Sequence, residues 1–508
     1  MMTPPKGTIR DWLDQRAAQG GTGFVFPDGQ PDLGWDQLRQ GAGAVAARLT
    51  GLGIAKGESV AILYPNCREA LLVLFGVLYG GFRATMINLV AGDSAVAYAL
   101  DHSDARFAFV HDSQLDLFAR TADRDRIARV PAPDQNEPQG QGDLHDLSPG
   151  DDALLLMYTS GTTGRPKGVV HTHASLLAGG WTTAVAHDLT DADRGFCVLP
   201  IYHINGLCVT VMGTLVSGGS LAMCEKFSAS RFWDNLGKTG ATWFSVVPTI
   251  ISHLLHSDLA PDADTRQRVR FGRSASSPLA PDVQRAFEDR FGIPIVETMG
   301  LTETAAQILS NPLPPGVRKI GSPGIAFGNE VAIFDTRMQP VPPGTEGELV
   351  IRGPNVMSEY LKNPEATEGT FTSDGWLRTG DLARMDADGY VFVTGRLKEL
   401  IIKGGENIAP REIDEALYSH PDVIEAAAFA RPCASYGETV EAAVKIREGS
   451  SLTALDLSQI CHDKLGRFKS PDMVHVLLEL PKGPSGKIQR NRILEIVGEK
   501  TVAAQPES

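Results

Sequence analysis

Cysteine is scarce and scattered in this chain. Only six occur in 508 residues, at 67, 197, 208, 224, 433 and 461, with no C-x-x-C pair and no grouping with histidine. That pattern excludes a disulfide scaffold and a structural zinc site, and it fits reduced thiols in the cytoplasm. Long hydrophobic runs are missing too. The longest, Ala70 to Phe82, is broken by glycines and is about 13 residues long, too short to cross a bilayer. Met1-Met-Thr-Pro-Pro-Lys6 lacks a basic-then-apolar secretory pattern, and Gln505-Pro-Glu-Ser508 is not a peroxisomal address. Positive charge is in deficit, with a formal net charge of −14. This argues against nucleic acid and anionic lipid as partners, and a polyanionic ligand would need a local cationic cradle. No internal repeat is visible.

What is present is an ordinary globular composition, 42% apolar and 21% charged, in a chain too long for one simple core. Strand-like and helix-like segments alternate over the first 300 residues or so. Helices are expected at Trp35–Leu52 and Arg68–Tyr79. Strands are expected at Ser59–Tyr64, Phe107–His111, Ala153–Met157, Gly195–Leu199, Thr242–Val247 and Ile293–Glu297. The alternation implies layered α/β subdomains with largely parallel strands, whose ligands sit beyond the strands' carboxyl ends. Pro131–Gly150 reads as a surface connection. After Asn329 come short strands with Gly/Pro turns, a β-rich subdomain: Val331–Phe334, Gly347–Ile351 and Tyr390–Val393. From Leu397 a compact α+β segment begins, with a helix at Pro410–Ser419 and strands near Ala426–Phe429 and Glu441–Ile446. The expected division is a large domain over residues 1–396 and a small, mobile C-terminal domain over 397–508.

The most informative segment is Tyr158-Thr-Ser-Gly-Thr-Thr-Gly-Arg-Pro-Lys-Gly168, which follows the apolar run ending at Met157. It packs Thr159, Ser160, Thr162 and Thr163 with Gly161, Gly164, Gly168 and Lys167. Glycines let the backbone approach a ligand, and amides, hydroxyls and an ammonium supply donors for phosphate oxygens. It is not a Walker A loop, because Lys167 is followed by Gly168 rather than Ser or Thr. Five further segments carry chemistry. Glu297-Thr-Met-Gly-Leu-Thr-Glu-Thr304 offers two acids and three threonines for Mg²⁺ and phosphate, or is simply an acidic turn. Trp376-Leu-Arg-Thr-Gly-Asp381 sets a carboxylate on a glycine turn, suited to ribose hydroxyls or to solvent. Gly395–Asn407 straddles the expected domain boundary with basic residues and Gly404-Gly405. Pro484-Ser-Gly-Lys-Ile-Gln-Arg490 sets Lys487 on a tight turn, and Leu199–Gly206 places His203 in an apolar stretch.

In this order, over nearly the whole chain, these segments resemble the adenylate-forming acyl-CoA synthetases. The resemblance implies a ligase that joins a carboxylic acid to ATP, releases pyrophosphate, and passes the acyl group to the thiol of coenzyme A. It also implies the following roles. The Thr159–Lys167 loop grips the β- and γ-phosphates; Thr302 contacts phosphate and Glu303 binds Mg²⁺; Glu297, Thr298 and Met299 line the nucleotide site, with Met299 where many relatives carry an aromatic. Asp381 and Arg396 hold the ribose. Lys487 bridges the attacking carboxylate and the α-phosphate, Lys398 is the hinge, and Gly404 and Gly405 approach the thiol channel after the C-terminal domain rotates. The acid pocket lies near His203, Val247 and Phe271–Leu279. Trp243–Pro248 carries no aspartate, which disfavours amino acids. The run Phe271-Gly-Arg-Ser-Ala-Ser-Ser-Pro-Leu-Ala280 most resembles the oxalyl-CoA synthetase branch. Arg273, Ser274 and Ser276 are expected to form a cationic, hydroxyl-lined pocket for a short dianionic acid such as oxalate, malonate or sulfoacetate. Arg273 in a structural ion pair away from the pocket is the competing reading. The competing functions are a medium-chain or aromatic acid ligase, a ligase loading a carrier protein, and a non-catalytic nucleotide binder.

Overall fold

The computed structural model describes residues 3–131, 144–159, 166–433, 435–483 and 487–503, with side chains described as far as residue 498. Two large sheets form the body of the molecule. The first runs, in spatial order, Glu359–Tyr360, Lys167–Thr172, Ala153–Thr159, Arg83–Met86, Ser59–Leu63, Phe107–Val110 and Ala128–Val130. From Ala153–Thr159 to Ala128–Val130 its neighbours are parallel. Such strands are covered on both faces and read as apolar runs; Ser59–Leu63 is buried at every position. The second sheet runs Ile325–Ala326, Ala306–Ser310, Ile295–Leu301, Phe271–Ser274, Trp243–Val246, Arg194–Cys197, Ser220–Met223, Thr22–Val25 and Leu33–Gly34. Its interior is parallel and its edges are antiparallel. The helix Arg68–Gly80 is buried almost all round and packs on the helix Trp35–Gly51. The two approach so closely that a Cβ on Gly76 would fall 2.3 Å from Val45 Cβ.

The expected elements are present, with boundaries shifted by a few residues. One shift alters the site. The strand expected to end at Glu297 continues through Leu301, so Glu297–Leu301 lies within a strand rather than on the turn after it. Its second half pairs antiparallel with Ala306–Ser310, with a register shift between Met299 and Gly300. A Cβ on Gly300 would lie 1.7 Å from the Ala306 carbonyl oxygen, so glycine is needed where the two strands close together.

A four-stranded antiparallel sheet follows: Glu330–Phe334, Glu346–Arg352, Leu377–Met385 and Val391–Arg396. Arg396 ends its last strand, and Ile401 begins the first strand of a separate five-stranded sheet with its own apolar core. That second core buries Ile401, Ile413, Leu417, Val440, Val444 and Leu457. The C-terminal unit docks on the larger one through a few polar contacts. Ser252 Oγ donates to the Ile424 carbonyl at 2.6 Å, His253 lies 3.4 Å from Glu425, and Arg411 Nη1 donates to the Val393 carbonyl at 2.6 Å. Among the described residues, no helix is long and apolar enough to cross a membrane.

Candidate active site

A cleft with a cavity volume of about 190 Å³ opens between the two units. The larger unit contributes Ser276, Glu297–Leu301, Asp381 and Arg396 to its walls; the smaller one contributes Arg411 and Lys487. The walls stand beyond the carboxyl ends of strands Phe271–Ser274 and Trp243–Val246, where open α/β sheets hold ligands.

At one end of the site stands a hairpin. Ala153–Thr159 and Lys167–Thr172 pair antiparallel, and Thr159 and Lys167 are register partners. Ser160, Gly161, Thr162, Thr163 and Gly164 lie outside the described residues. The turn Thr302–Thr304 sits against this hairpin. His171, fully buried and held near pKa 4 by burial, is neutral at pH 7 and donates through Nε2 to the Thr302 carbonyl at 2.7 Å. Its Nδ1 then accepts from Ser175 Oγ at 3.0 Å. Glu303 is fixed twice from one segment: its carbonyl accepts from Met357 N at 2.8 Å, and its Oε1 accepts from the Tyr360 hydroxyl at 2.7 Å. Lys167 Nζ lies 4.5 Å from the centre of the Tyr360 ring.

At the other end, Asp381 and Arg396 are cross-strand partners. Arg396 Nε donates to Asp381 Oδ1 at 2.5 Å, and Asp381 is buried. Burial alone would lower the Arg396 pKa, but Asp381, with Glu399 and Glu303, outweighs it and raises it. Lys487 points into the same region from the C-terminal unit, 3.6 Å from Glu399 Oε1. Arg490 approaches Glu399 Oε2 at 3.7 Å and binds Asp414 at 2.5 Å. Burial lowers the Lys487 pKa, and Glu399 opposes that fall.

Glu297, Thr298 and Met299 all line the cleft. Glu297 is 3% exposed; Oε1 accepts from Leu279 N at 3.2 Å while Oε2 has no hydrogen-bond partner. Burial pushes its carboxyl up to about 7. Met299 packs on the apolar cluster of Leu309, Ile351 and Tyr360.

The acid-side residues divide. Ser276 lines the cleft with a backbone φ of +74°, whereas Arg273, Ser274, His203 and Val247 stand behind its wall. Arg273 was expected to face the acid, but its strand position turns the side chain inward, where it is 1% exposed. Its Nη1 donates to Asn205 Oδ1 at 2.8 Å and to Ser245 Oγ at 3.2 Å, and its Nε to Gln307 Oε1 at 3.4 Å. Among the described residues no carboxylate pairs with it, and burial lowers its pKa to about 9. Asn205 in turn donates to Ser276 Oγ at 3.0 Å, so the cation reaches the cleft through a relay of neutral groups. Ser274 Oγ is buried without a hydrogen-bond partner. His203 packs on Tyr202, with ring centres 5.1 Å apart. Val247 precedes the helix Pro248–Leu255, and it is Pro248 and Thr249 that reach the cleft.

Gly404 and Gly405 form an exposed hairpin turn with φ of +60° and +87°, away from the cleft. Lys398 is exposed in the short turn between the two sheets. The structure thus brings Lys487, Asp381, Arg396, Glu297 and Met299 together and leaves Gly404 and Gly405 apart. Asn205, His171, Tyr360 and Glu399 were not foreseen. Asn205 and Glu399 lie in segments that sequence reading had singled out, Leu199–Gly206 and Gly395–Asn407; His171 and Tyr360 do not.

A two-domain frame whose cleft gathers a buried carboxylate–guanidinium pair and a lysine from the smaller unit suits an enzyme that handles a nucleotide. The chain belongs to the AMP-binding enzyme family. The model of the AMP-binding enzyme matches residues 13–361, and that of the AMP-binding enzyme C-terminal domain matches 412–487. The chain is 45% identical over 480 residues to sulfoacetate–CoA ligase of Cupriavidus necator, covering 93% of this chain and 94% of that one. It is 34% identical over 484 residues to oxalate–CoA ligase of Arabidopsis thaliana, covering 90% and 92%. Among solved structures, ATP-bound MatB from Rhodopseudomonas palustris aligns with a TM-score of 0.87 at 28% identity, covering 97% of this chain and all of that one. The protein is an AMP-forming acid–thiol ligase that uses ATP, Mg²⁺ and coenzyme A with a small-molecule acid. The donor set suits Mg²⁺. Among the described residues no cluster of three or more His, Cys, Asp or Glu could hold a metal unaided. Among the described residues Glu303 Oε2 accepts no hydrogen bond, as expected where an ion is shared between one carboxylate and nucleotide phosphates.

Proposed function

We propose that this ligase activates a short dianionic acid, of the sulfoacetate or oxalate type, as its CoA thioester. The observation that carries the reading is Arg273, a buried guanidinium with no carboxylate partner among the described residues. A buried cation without a counter-ion is costly, and a bound anion nearby would relieve it. The Asn205–Ser276 relay carries its influence to the cleft wall. Because Asn205 donates to Ser276 Oγ, the serine's own hydrogen is free to donate to a distal sulfonate or carboxylate. The names of the relatives in Cupriavidus and Arabidopsis support the same acid class.

In the first half-reaction a carboxylate oxygen of the acid attacks the α-phosphorus of ATP, and the bond to the pyrophosphate oxygen breaks. The carboxylate is already the nucleophile, so no general base is needed. Lys487 would hold both the attacking carboxylate and an α-phosphate oxygen, where a fixed ammonium stabilises growing charge. The Thr159–Lys167 loop and Thr302 would hold the β- and γ-phosphates, Asp381 and Arg396 the ribose, and Glu297, Thr298 and Met299 the base. Glu303 would ligate Mg²⁺, which supplies charge neutralisation on the phosphates when bound. In the second half-reaction the thiol adds to the acyl carbon and AMP leaves. The domains divide at 396/397, and a turn about Lys398 would withdraw Lys487 and bring in Gly404 and Gly405. Six free thiols, five of them buried, support a cytoplasmic setting.

The test is pyrophosphate release with ATP and Mg²⁺, with and without CoA, over sulfoacetate, oxalate, malonate, acetate, crotonate, octanoate and 4-coumarate. Turnover of the dianions above the rest supports the reading. Saturation by octanoate or 4-coumarate but not by the dianions overturns it. Pyrophosphate release that CoA fails to accelerate would transfer the acyl group to a carrier protein instead.

A further inference from the structure

We propose that Tyr360 is the shared seat of the two phosphate-handling charges, its ring face holding the Lys167 ammonium and its hydroxyl holding the Glu303 carboxylate. This rests on the assignment of Lys167 and Glu303 to the triphosphate and its metal. Tyr360 is 6% exposed and lies on the edge strand Glu359–Tyr360, paired antiparallel with the phosphate-loop strand at Val169. Its backbone is fixed on both sides: Ser358 N donates to the Val170 carbonyl at 3.0 Å, Leu361 N donates to the Gly168 carbonyl at 2.8 Å, and its own N–H donates to Thr367 Oγ1 at 3.0 Å.

Two features exceed what packing requires. An ionised carboxylate only accepts, so the Tyr360 hydroxyl must donate to Glu303 Oε1, which fixes the carboxylate plane and leaves Oε2 turned to other partners. The ring face, negative by its quadrupole, takes the ammonium at 4.5 Å from its centre. Lys167 and Glu303 form no direct ion pair. A lysine and a glutamate held by one residue would otherwise be free to pair with each other when no phosphate lies between them. Tyr360 gives each a partner that is not the other, so both charges stay available to a triphosphate and its cation. It acts through Lys167 and Glu303, as a positioning residue.

Tyr360→Phe keeps the face and removes the donor; Tyr360→Leu removes both. Each variant is compared with wild type in two binding assays: calorimetry of a non-hydrolysable ATP analogue without metal, and Mn²⁺ binding to the protein–analogue complex by electron paramagnetic resonance. Tyr360→Phe should bind the analogue within about twofold of wild type but hold Mn²⁺ about tenfold more weakly, the size of a lost hydrogen bond to a charged group. Tyr360→Leu should weaken both, with KM for CoA unmoved. If Tyr360→Phe holds Mn²⁺ as wild type does, the proposal falls, whatever its melting temperature. Should Tyr360→Leu fail to fold, Tyr360→Phe alone decides. Glu303→Gln separates the underlying assignment: unchanged Mn²⁺ binding there would show that Glu303 is not a ligand at all.

Discussion

Lys487 Nζ stands 3.6 Å from Glu399 Oε1, and Glu399 is the residue directly after the exposed turn residue Lys398. The charges facing this pair are Arg396 and Asp381 from the larger unit and Arg490 and Asp414 from the smaller. Burial works against the Glu399 carboxylate, but Lys487, Arg490 and Arg396 outweigh it and hold it below its usual range. Glu399 is therefore the nearest anion opposing two neighbouring cations around Lys487.

The pH consequence follows from the sign of that contact. Lys487 acts as the charged form, burial lowers its pKa, and Glu399 raises it. Glu399→Gln removes the opposing charge and leaves Arg396 and Arg490 in place, so the Lys487 pKa falls further. The alkaline limb of pyrophosphate formation should move to lower pH. The gap between the variant and wild type should therefore widen as pH rises and be smallest at the acid end of the profile. A pH profile parallel to wild type would remove Glu399 from this role.

Lys487→Ala separates the half-reactions. Acid-dependent pyrophosphate formation should fall by about 10²-fold or more, the scale of losing one fixed electrostatic group in a transition state. Thioester formation from supplied acyl-adenylate should stay within a few fold of wild type. Single-turnover assays of each step check this, and equal loss in both would sink the assignment.

The turn at Lys398 is tested by stiffening it. Proline locks φ near −65° and restrains the residue before it. Lys398→Pro should slow thioester formation more than adenylation, because in this structure Lys487 already stands in the cleft while Gly404 and Gly405 do not. An unaffected thioester rate at saturating CoA would place the hinge elsewhere.

Arg273→Met removes the buried guanidinium while keeping much of its volume. Asn205 Oδ1, Ser245 Oγ and Gln307 Oε1 lose a donor, at about 1–3 kcal/mol for each group left unsatisfied. Removing an uncompensated buried charge offsets part of that loss, so the variant should fold with a lowered melting temperature. KM for the dianionic acid should rise about tenfold while KM for ATP holds. A drop in melting temperature with acid KM unchanged would make Arg273 purely structural.

The segments that carry Asp381, Arg396 and Lys487 are local, and the resemblance to the acyl-CoA synthetases picked them out; taken singly, the Asp381 and Lys487 segments read equally well as a solvated turn and a surface charge. The structure brings these three residues to one cleft, and the strand–helix alternation placed the sheets around it. Contacts made across the chain were not legible. Tyr360 meets Glu303 across 57 positions and His171 meets Thr302 across 131, and neither Tyr360 nor His171 lies in a segment of unusual composition. The inward turn of Arg273 depends on which face of a strand covered on both sides it occupies, and an apolar run carries no alternation to reveal that. The strand through Glu297–Leu301 was cut short for a related reason: Gly300 and the hydroxyls read as a turn, whereas the pairing partner Ala306–Ser310 holds them extended.

Glu297 joins site chemistry to stability. Its carboxyl is buried with one oxygen unpartnered, and burial raises its pKa from 4.5 to about 7. The folded state therefore holds this proton more tightly than the unfolded chain. Its stabilising effect is complete below about pH 4.5 and is lost as pH rises through about 7, a difference of roughly 3 kcal/mol at about 1.4 kcal/mol per unit. Glu297→Gln keeps the shape and the acceptor for Leu279 N without an ionisable group. Without nucleotide, the variant should therefore melt higher than wild type at about pH 8, and the difference should shrink toward about pH 5. Calorimetric melting across that range reads it directly. A difference independent of pH would mean that the carboxyl ionises in the folded protein as readily as in water.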